Sequence, residues 1–211
     1  MLPWAVPTGL LNMTAITKNL YGLILAGGHS KRMGKDKSQL AYHAKPQLDC
    51  AYELLLLFCE KVFVSTRQEQ AAQIGYAHRP QIHDLPQFSN IGPIGGIVSA
   101  MTNYPDNSWL VLACDLPYIT AETINYLIAN RNRQAFGTAF ISVTDRLPEP
   151  LCAIWEPKSQ AIISFIKEGI HCPRKILIKS GACLIEQQDP KWLDNINRPE
   201  DYQRAINVIN I

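Results

Sequence analysis

The sequence predicts an α/β protein: one three-layer domain with a mostly parallel central sheet and helices on both faces. Three observations predict it. Apolar runs of strand length, some with no polar interruption, are bounded by glycine or end at an acid, as strands buried on both faces do. Segments of about ten to fifteen residues with apolar positions at helical spacing alternate with these runs, the pattern of βαβ units. A length of 211 residues, 47% apolar and 18% charged, suits a single domain with an ordinary core.

Each element has its own reason. Residues 23–26 (LILA) form the first buried strand and run into a glycine pair. Residues 47–59 (QLDCAYELLLLFC) carry a helical apolar pattern without breakers, and Pro46 fits a first-turn position. The second strand is 61–66 (KVFVST), followed by a short helix at 69–74 and a short strand at 81–84 that ends in Asp84. Residues 90–101 (NIGPIGGIVSAM) read as a glycine-rich turn entering a helix. Residues 109–114 (WLVLAC) are a fully apolar strand that stops at Asp115, and Thr120 is an N-cap for a helix through Ala129. Strands follow at 136–143 and 151–155, helices at 157–168 and 174–179, a last strand at 182–186 and a closing helix at 199–209. Right-handed crossovers place helices on both faces, and ligands in such sheets bind beyond the carboxyl ends of the strands.

Bulk properties exclude several classes. A formal charge of +2 is too small to argue for nucleic acid or an anionic membrane surface as partner. No stretch has the eighteen or so apolar residues of a membrane span. The six cysteines are scattered without C-x-x-C or zinc-like spacing, which points to a reducing, cytoplasmic setting and no structural metal. Residues 1–19 lack a basic leader and are broken by Pro3, Pro7 and Gly9, so they read as a poorly ordered tail ahead of a domain spanning 20–211.

The chemistry concentrates at the carboxyl ends of the strands. After Leu25 and Ala26 come Gly27 and Gly28, then a loop with Lys31, Arg32, Lys35 and Lys37 against one acid, Asp36. Paired glycines let backbone N–H groups approach an anion, and the cations downstream can neutralise polyphosphate charge. A glycine pair also marks an ordinary tight turn, and a basic cluster also makes a solvated face. Neither the P-loop pattern nor G-x-G-x-x-G fits. Asp115 can hold a hard cation through oxygen, or form a local turn with the N–H groups that follow it. The histidines form no ligand-like grouping, and no Ser-His-Asp or Cys-His arrangement supports covalent catalysis.

The string L-A-G-G-x-S-x-R-M-G-x-D-K, complete from Leu25 to Lys37, resembles the signature of the sugar-nucleotide-type nucleotidyltransferases, and most closely the molybdenum cofactor guanylyltransferases. C-D-L-P-Y-I at 114–119, G-P-I-G-G at 92–96, E-P-L-C-A-I-W at 149–155 and N-I-N-R-P-E-D at 195–201 resemble further elements of that family in the same order. The resemblance implies a Rossmann-like fold of the nucleotide-diphospho-sugar transferase type. It implies that GMP passes from GTP to the phosphate of molybdopterin or Mo-molybdopterin, with pyrophosphate released and Mg²⁺ as cofactor. Lys37, Arg32 and Asp115 would be catalytic. Leu25, Ala26, Gly27, Gly28, Lys37, Thr66, Asp84, Gly92 and Asp115 would bind the nucleotide, with Asp84 meeting either the base or the ribose. Thr66 and Arg67 stand where the resemblance implies an Asn against the base.

Asp115 and Asn197 would lie on the metal side, although Asn197 with Glu200 also reads as a helix capping box. Arg174, Lys175 and Asn195 would face the acceptor, beside the surface beginning at Glu149. Cofactor-accepting apoenzymes or chaperones would be the protein partners. The same chemistry with CTP is the near alternative, and a GTP-binding regulator without turnover the distant one.

Overall fold

The computed structural model describes residues 16–26, 45–66 and 78–194. Seven strands form one sheet: β1 (Thr17–Leu25), β2 (Cys59–Thr66), β3 (Gln81–His83), β4 (Ser108–Ala113), β5 (Gly137–Ile141), β6 (Pro148–Trp155) and β7 (Cys183–Ile185). Their order across the sheet is β3-β2-β1-β4-β6-β5-β7. β3, β2, β1 and β4 run parallel. β6 runs antiparallel to both β4 and β5, and β7 is parallel to β5. The expectation of a mostly parallel sheet holds, with β6 the single reversed strand.

Five helices cover the faces: α1 (Gln47–Leu56), α2 (Pro93–Asn103), α3 (Ala121–Ala129), α4 (Ser159–Lys167) and α5 (Pro173–Lys179). On one face, Leu48, Ala51 and Leu55 of α1 and Ile124 and Leu127 of α3 pack on Leu20, Ile24, Leu110 and Leu112. On the other, Ile94, Ile97, Val98 and Met101 of α2, Ile162 of α4 and Ile176 and Leu177 of α5 pack on Leu23, Val111 and Ala153. Alternate residues of each central strand therefore serve opposite layers, which is why those strands read as unbroken apolar runs.

Boundaries differ from the sequence reading for identifiable reasons. β1 starts at Thr17, inside the stretch read as a tail, because Thr17 N–H donates to the Phe58 carbonyl and joins the neighbouring chain. The first helix stops at Leu56 rather than Cys59, since Cys59 already pairs in β2. β6 begins at Pro148, three residues before the apolar run that announces it. The register between β5 and β6 shifts from Ala139–Ala153 to Phe140–Glu149. Pro148 and Pro150 have no N–H to give to a regular ladder, so the strand bulges there. Thr120 caps α3 as expected, its side chain accepting from Thr123 N–H in a reciprocal capping box. The helices read at 69–74 and 199–209 lie outside the described residues.

Candidate active site

The sheet order fixes where a ligand can sit. Chain direction diverges between β1 and β4, which makes the carboxyl rim there the topological switch point. Backbone pairing runs right up to that rim: Cys114 N–H donates to the Leu25 carbonyl at 3.5 Å, and Ala26 N–H donates to the Ser65 carbonyl at 3.4 Å. Asp115 is thus one residue beyond a direct bond to β1, and the chain leaving Ala26 enters the glycine loop at the same place. Gln47, buried at the start of α1, donates from its amide to the Leu116 carbonyl at 3.3 Å and anchors the segment after Asp115. Asp115 itself is half-exposed.

Two strands away, the end of β3 holds Asp84. Its Oδ2 would lie 3.2 Å from a Cβ placed on Gly95, so the carboxylate rests against the first turn of α2, where N–H groups point outward and favour negative charge. The G-P-I-G-G turn explains itself locally. Gly92 takes φ of +79°, a conformation that L side chains avoid, and Pro93 starts the helix with a fixed φ. A Cβ on Gly95 would meet the Phe88 carbonyl oxygen at 2.4 Å, so glycine there permits the close packing that seats Asp84.

Thr66, at the end of β2, is 1% exposed. Its hydroxyl donates to Gln81 Oε1 at 2.8 Å and lies 3.1 Å from His83 Nδ1. It tethers β2 to β3 and holds the exposed His83 ring. Sequence spacing gave no sign of this, since the partners are fifteen and seventeen residues away.

The half of the rim beyond β4 is charged differently. Arg174, at the start of α5, donates to Asp145 Oδ2 at 2.7 Å and to Glu149 Oε1. The sequence reading has Arg174 facing an anionic acceptor; in the fold its guanidinium holds two acids. Burial pushes the Glu149 carboxyl above its ordinary value, Arg174 pulls it back, and the charges of Asp145 and Asp115 push it up again. Asp145 is invisible to motif reading. The signal for Glu149 was the pair of prolines around it, which interrupts a strand where an acid is being aimed.

Gly27, Gly28, Arg32, Lys37, Asn195 and Asn197 lie outside the described residues, as does the helix cap that Asn197 and Glu200 would form. Lys175 sits beside Arg174 on α5. Among the described residues no group of three His, Cys, Asp or Glu is placed to hold a metal. None of the six cysteines is in a disulfide. Burial pushes the Cys59 thiol up to about 12 and that of Cys152 higher still, so neither offers a thiolate nucleophile at neutral pH. Among the described residues no helix is long and apolar enough to cross a membrane.

Comparison with known proteins agrees with this arrangement. A protein of Synechocystis named as a molybdenum cofactor biosynthesis bifunctional protein is 37% identical over 87% of this chain, which spans about half, 52%, of that relative's length. A protein of Trichormus variabilis named as a probable molybdenum cofactor guanylyltransferase is 28% identical, covering 87% of this chain and 88% of its own. The crystal structure of molybdopterin-guanine dinucleotide biosynthesis protein A from Archaeoglobus fulgidus superposes with a TM-score of 0.72 at 22% identity, over 90% of this chain and 98% of that one, which shows the shared fold. The family model described as the MobA-like NTP transferase domain matches residues 22–179. With that match spanning most of its length, and with Ala26 and Asp115 at the carboxyl rim of neighbouring strands, the chain belongs to the MobA-like NTP transferase domain family.

Proposed function

We propose that this chain is a molybdenum cofactor guanylyltransferase that joins GMP from GTP to molybdopterin. One observation carries the reading: β1 and β4 are bonded to their last residues, so the glycine loop leaves the sheet beside Asp115, where a triphosphate and its counter-ion belong together. A terminal phosphate oxygen of molybdopterin forms the new bond to the α-phosphorus of GTP. The bond to the bridging oxygen breaks, and pyrophosphate leaves with that electron pair. A phosphate monoester has a second pKa near about 6, so the nucleophile is already ionised and needs no general base. The protein's share is then positioning and charge neutralisation.

Asp84, resting on the first turn of α2, is the acceptor for the guanine N–H edge, a bidentate pairing that a carboxylate makes well. Gly27 and Gly28 offer backbone donors to the phosphates, Lys37 neutralises them and Arg32 steadies the leaving group. Thr66 acts behind His83 and Gln81 rather than on the base. A magnesium ion, when bound, screens the phosphates; Asp115 would hold it, with Asn197 as a further oxygen donor, and a half-exposed carboxylate at this rim suits such a hard cation. Lys175 and Asn195 flank the acceptor. Free thiols throughout fit a reducing, cytoplasmic setting.

The test is pyrophosphate release with each of the four nucleoside triphosphates, with and without molybdopterin. Release only with GTP and molybdopterin together is the expected result. Preference for CTP converts the reading to a cytidylyltransferase, and GTP binding without release converts it to a regulator.

A further inference from the structure

Gln47 is the one polar side chain among the buried positions of α1; the others, Leu48, Ala51 and Leu55, are apolar. It is 5% exposed. Its amide nitrogen donates to the Leu116 carbonyl at 3.3 Å, while its amide oxygen is buried with no hydrogen-bond partner. A buried acceptor without a donor opposes folding, because it gives up water and gains nothing in return. An apolar side chain of the same length would avoid that loss. A polar group kept at such a position calls for a reason other than stability.

The reason lies in what the bond joins. Asp115 sits in the turn that leaves β4, and the backbone is tied on both sides of it. Before it, Cys114 N–H donates to the Leu25 carbonyl at 3.5 Å, continuing the pairing of Ala113 with Leu25. After it, the Leu116 carbonyl accepts from Gln47. Leu25 and Gln47 stand on either side of the stretch that carries Gly27, Gly28, Arg32 and Lys37. One tie therefore fixes Asp115 to the point where that stretch leaves the sheet, and the other to the point where the chain returns. The returning backbone is itself held. The Pro46 carbonyl accepts from Asp49 and Cys50 N–H at 2.9 and 3.2 Å, and Lys45 pairs with Glu53 at 2.8 Å.

We propose that Gln47 is a positioning residue for the transfer step: through Leu116 it fixes where Asp115 stands relative to the phosphate-binding stretch, at a cost in stability. The inference rests on the reading of Asp115 as a group of the reaction. A misplacement of about 1 Å can lower a rate about 10²-fold, so one hydrogen bond to the adjoining residue is enough to matter.

The test is pyrophosphate release from GTP and molybdopterin by the full chain, with urea unfolding alongside. Gln47→Met keeps the length of the side chain and removes the amide. It should lower kcat at least about tenfold and leave KM for GTP within about twofold, since the groups that hold the nucleotide are untouched. The unfolding midpoint should stay the same or rise, because the unpartnered oxygen is gone. Added to Asp115→Ala, the same substitution should cause no further loss, as its effect passes through Asp115. Gln47→Leu also lacks the amide and decides the matter if Gln47→Met fails to fold. With Asp115→Ala impaired, an unchanged kcat, a fall in kcat that only tracks a fall in stability, or losses that multiply in the double variant each overturn the inference and leave the reading of Asp115 intact. No release by the wild-type chain, or normal turnover in Asp115→Ala, overturns both.

Discussion

The two rims of the sheet are built from the same residue types to opposite ends. At the amino rim, Arg131, Glu156 and Ser108 close on one another, and Tyr21, Phe63, Tyr104 and Trp109 pack ring against ring at centroid distances of 5.2–5.9 Å. Glu156 and Ser108 are buried there, 1% and 5% exposed. At the carboxyl rim, Asp84, Asp115 and Glu149 stand at strand ends and helix starts. The difference teaches where this protein keeps stability and where it keeps chemistry. A charge paired inside the layers holds the fold together, while acids at the carboxyl rim sit where ligands of such sheets bind.

Substitutions at each rim can break that division. The largest effect expected is from Glu156→Ala, which strands the buried Arg131 guanidinium and should cost about 3–5 kcal/mol in urea unfolding. Turnover per folded molecule should be unaffected; a variant as stable as wild type would mean that the amino rim does not carry the fold. Asp115→Ala should behave conversely, with pyrophosphate release down by about 10²–10³ and the unfolding midpoint little changed. Turnover close to wild type would remove Asp115 from the reaction. Gly95→Ala sharpens the picture by touching both properties. A methyl there meets the Phe88 carbonyl at 2.4 Å and crowds Asp84, so about 1–3 kcal/mol of stability should go together with a raised KM for GTP. Gly96→Ala, whose methyl would meet the Ser65 hydroxyl oxygen at 2.4 Å and side-chain carbons of Ser65 and Leu25 at 3.3 and 3.4 Å, should cost less, because its worst clash is with a hydroxyl that can rotate rather than with backbone. Equal losses in the two would show that packing under α2 is governed by something other than the Phe88 carbonyl.

The parallel half of the fold was legible because burial on both faces writes itself as unbroken apolar runs, as in WLVLA of β4, and because Asp84 and Asp115 end their runs. The reversed strand was harder. Its apolar run begins at Leu151, yet pairing starts at Pro148, because backbone bonding to β5 needs no apolar side chain and so leaves no periodic trace. The resemblance sets Arg174 facing the acceptor; its acidic partners lie 25 and 29 residues away, too far for local spacing to announce. Thr66 was placed by position in a motif, and only the register of β2 with β3 reveals that its hydroxyl is spent internally. Local chemistry is written in the sequence, while pairings across the sheet depend on which strand lies beside which.

The reversal of β6 has an architectural consequence. Because β5 and β6 run in opposite directions, the connection between them turns back at the carboxyl rim of the parallel strands, with Arg146 at a φ of +59° and its guanidinium clasping Glu186 just beyond β7. Residues 142–147 belong to neither hydrophobic layer, so this tip can be rebuilt without disturbing the core as long as Asp145 keeps its hold on Arg174 and Arg146 on Glu186.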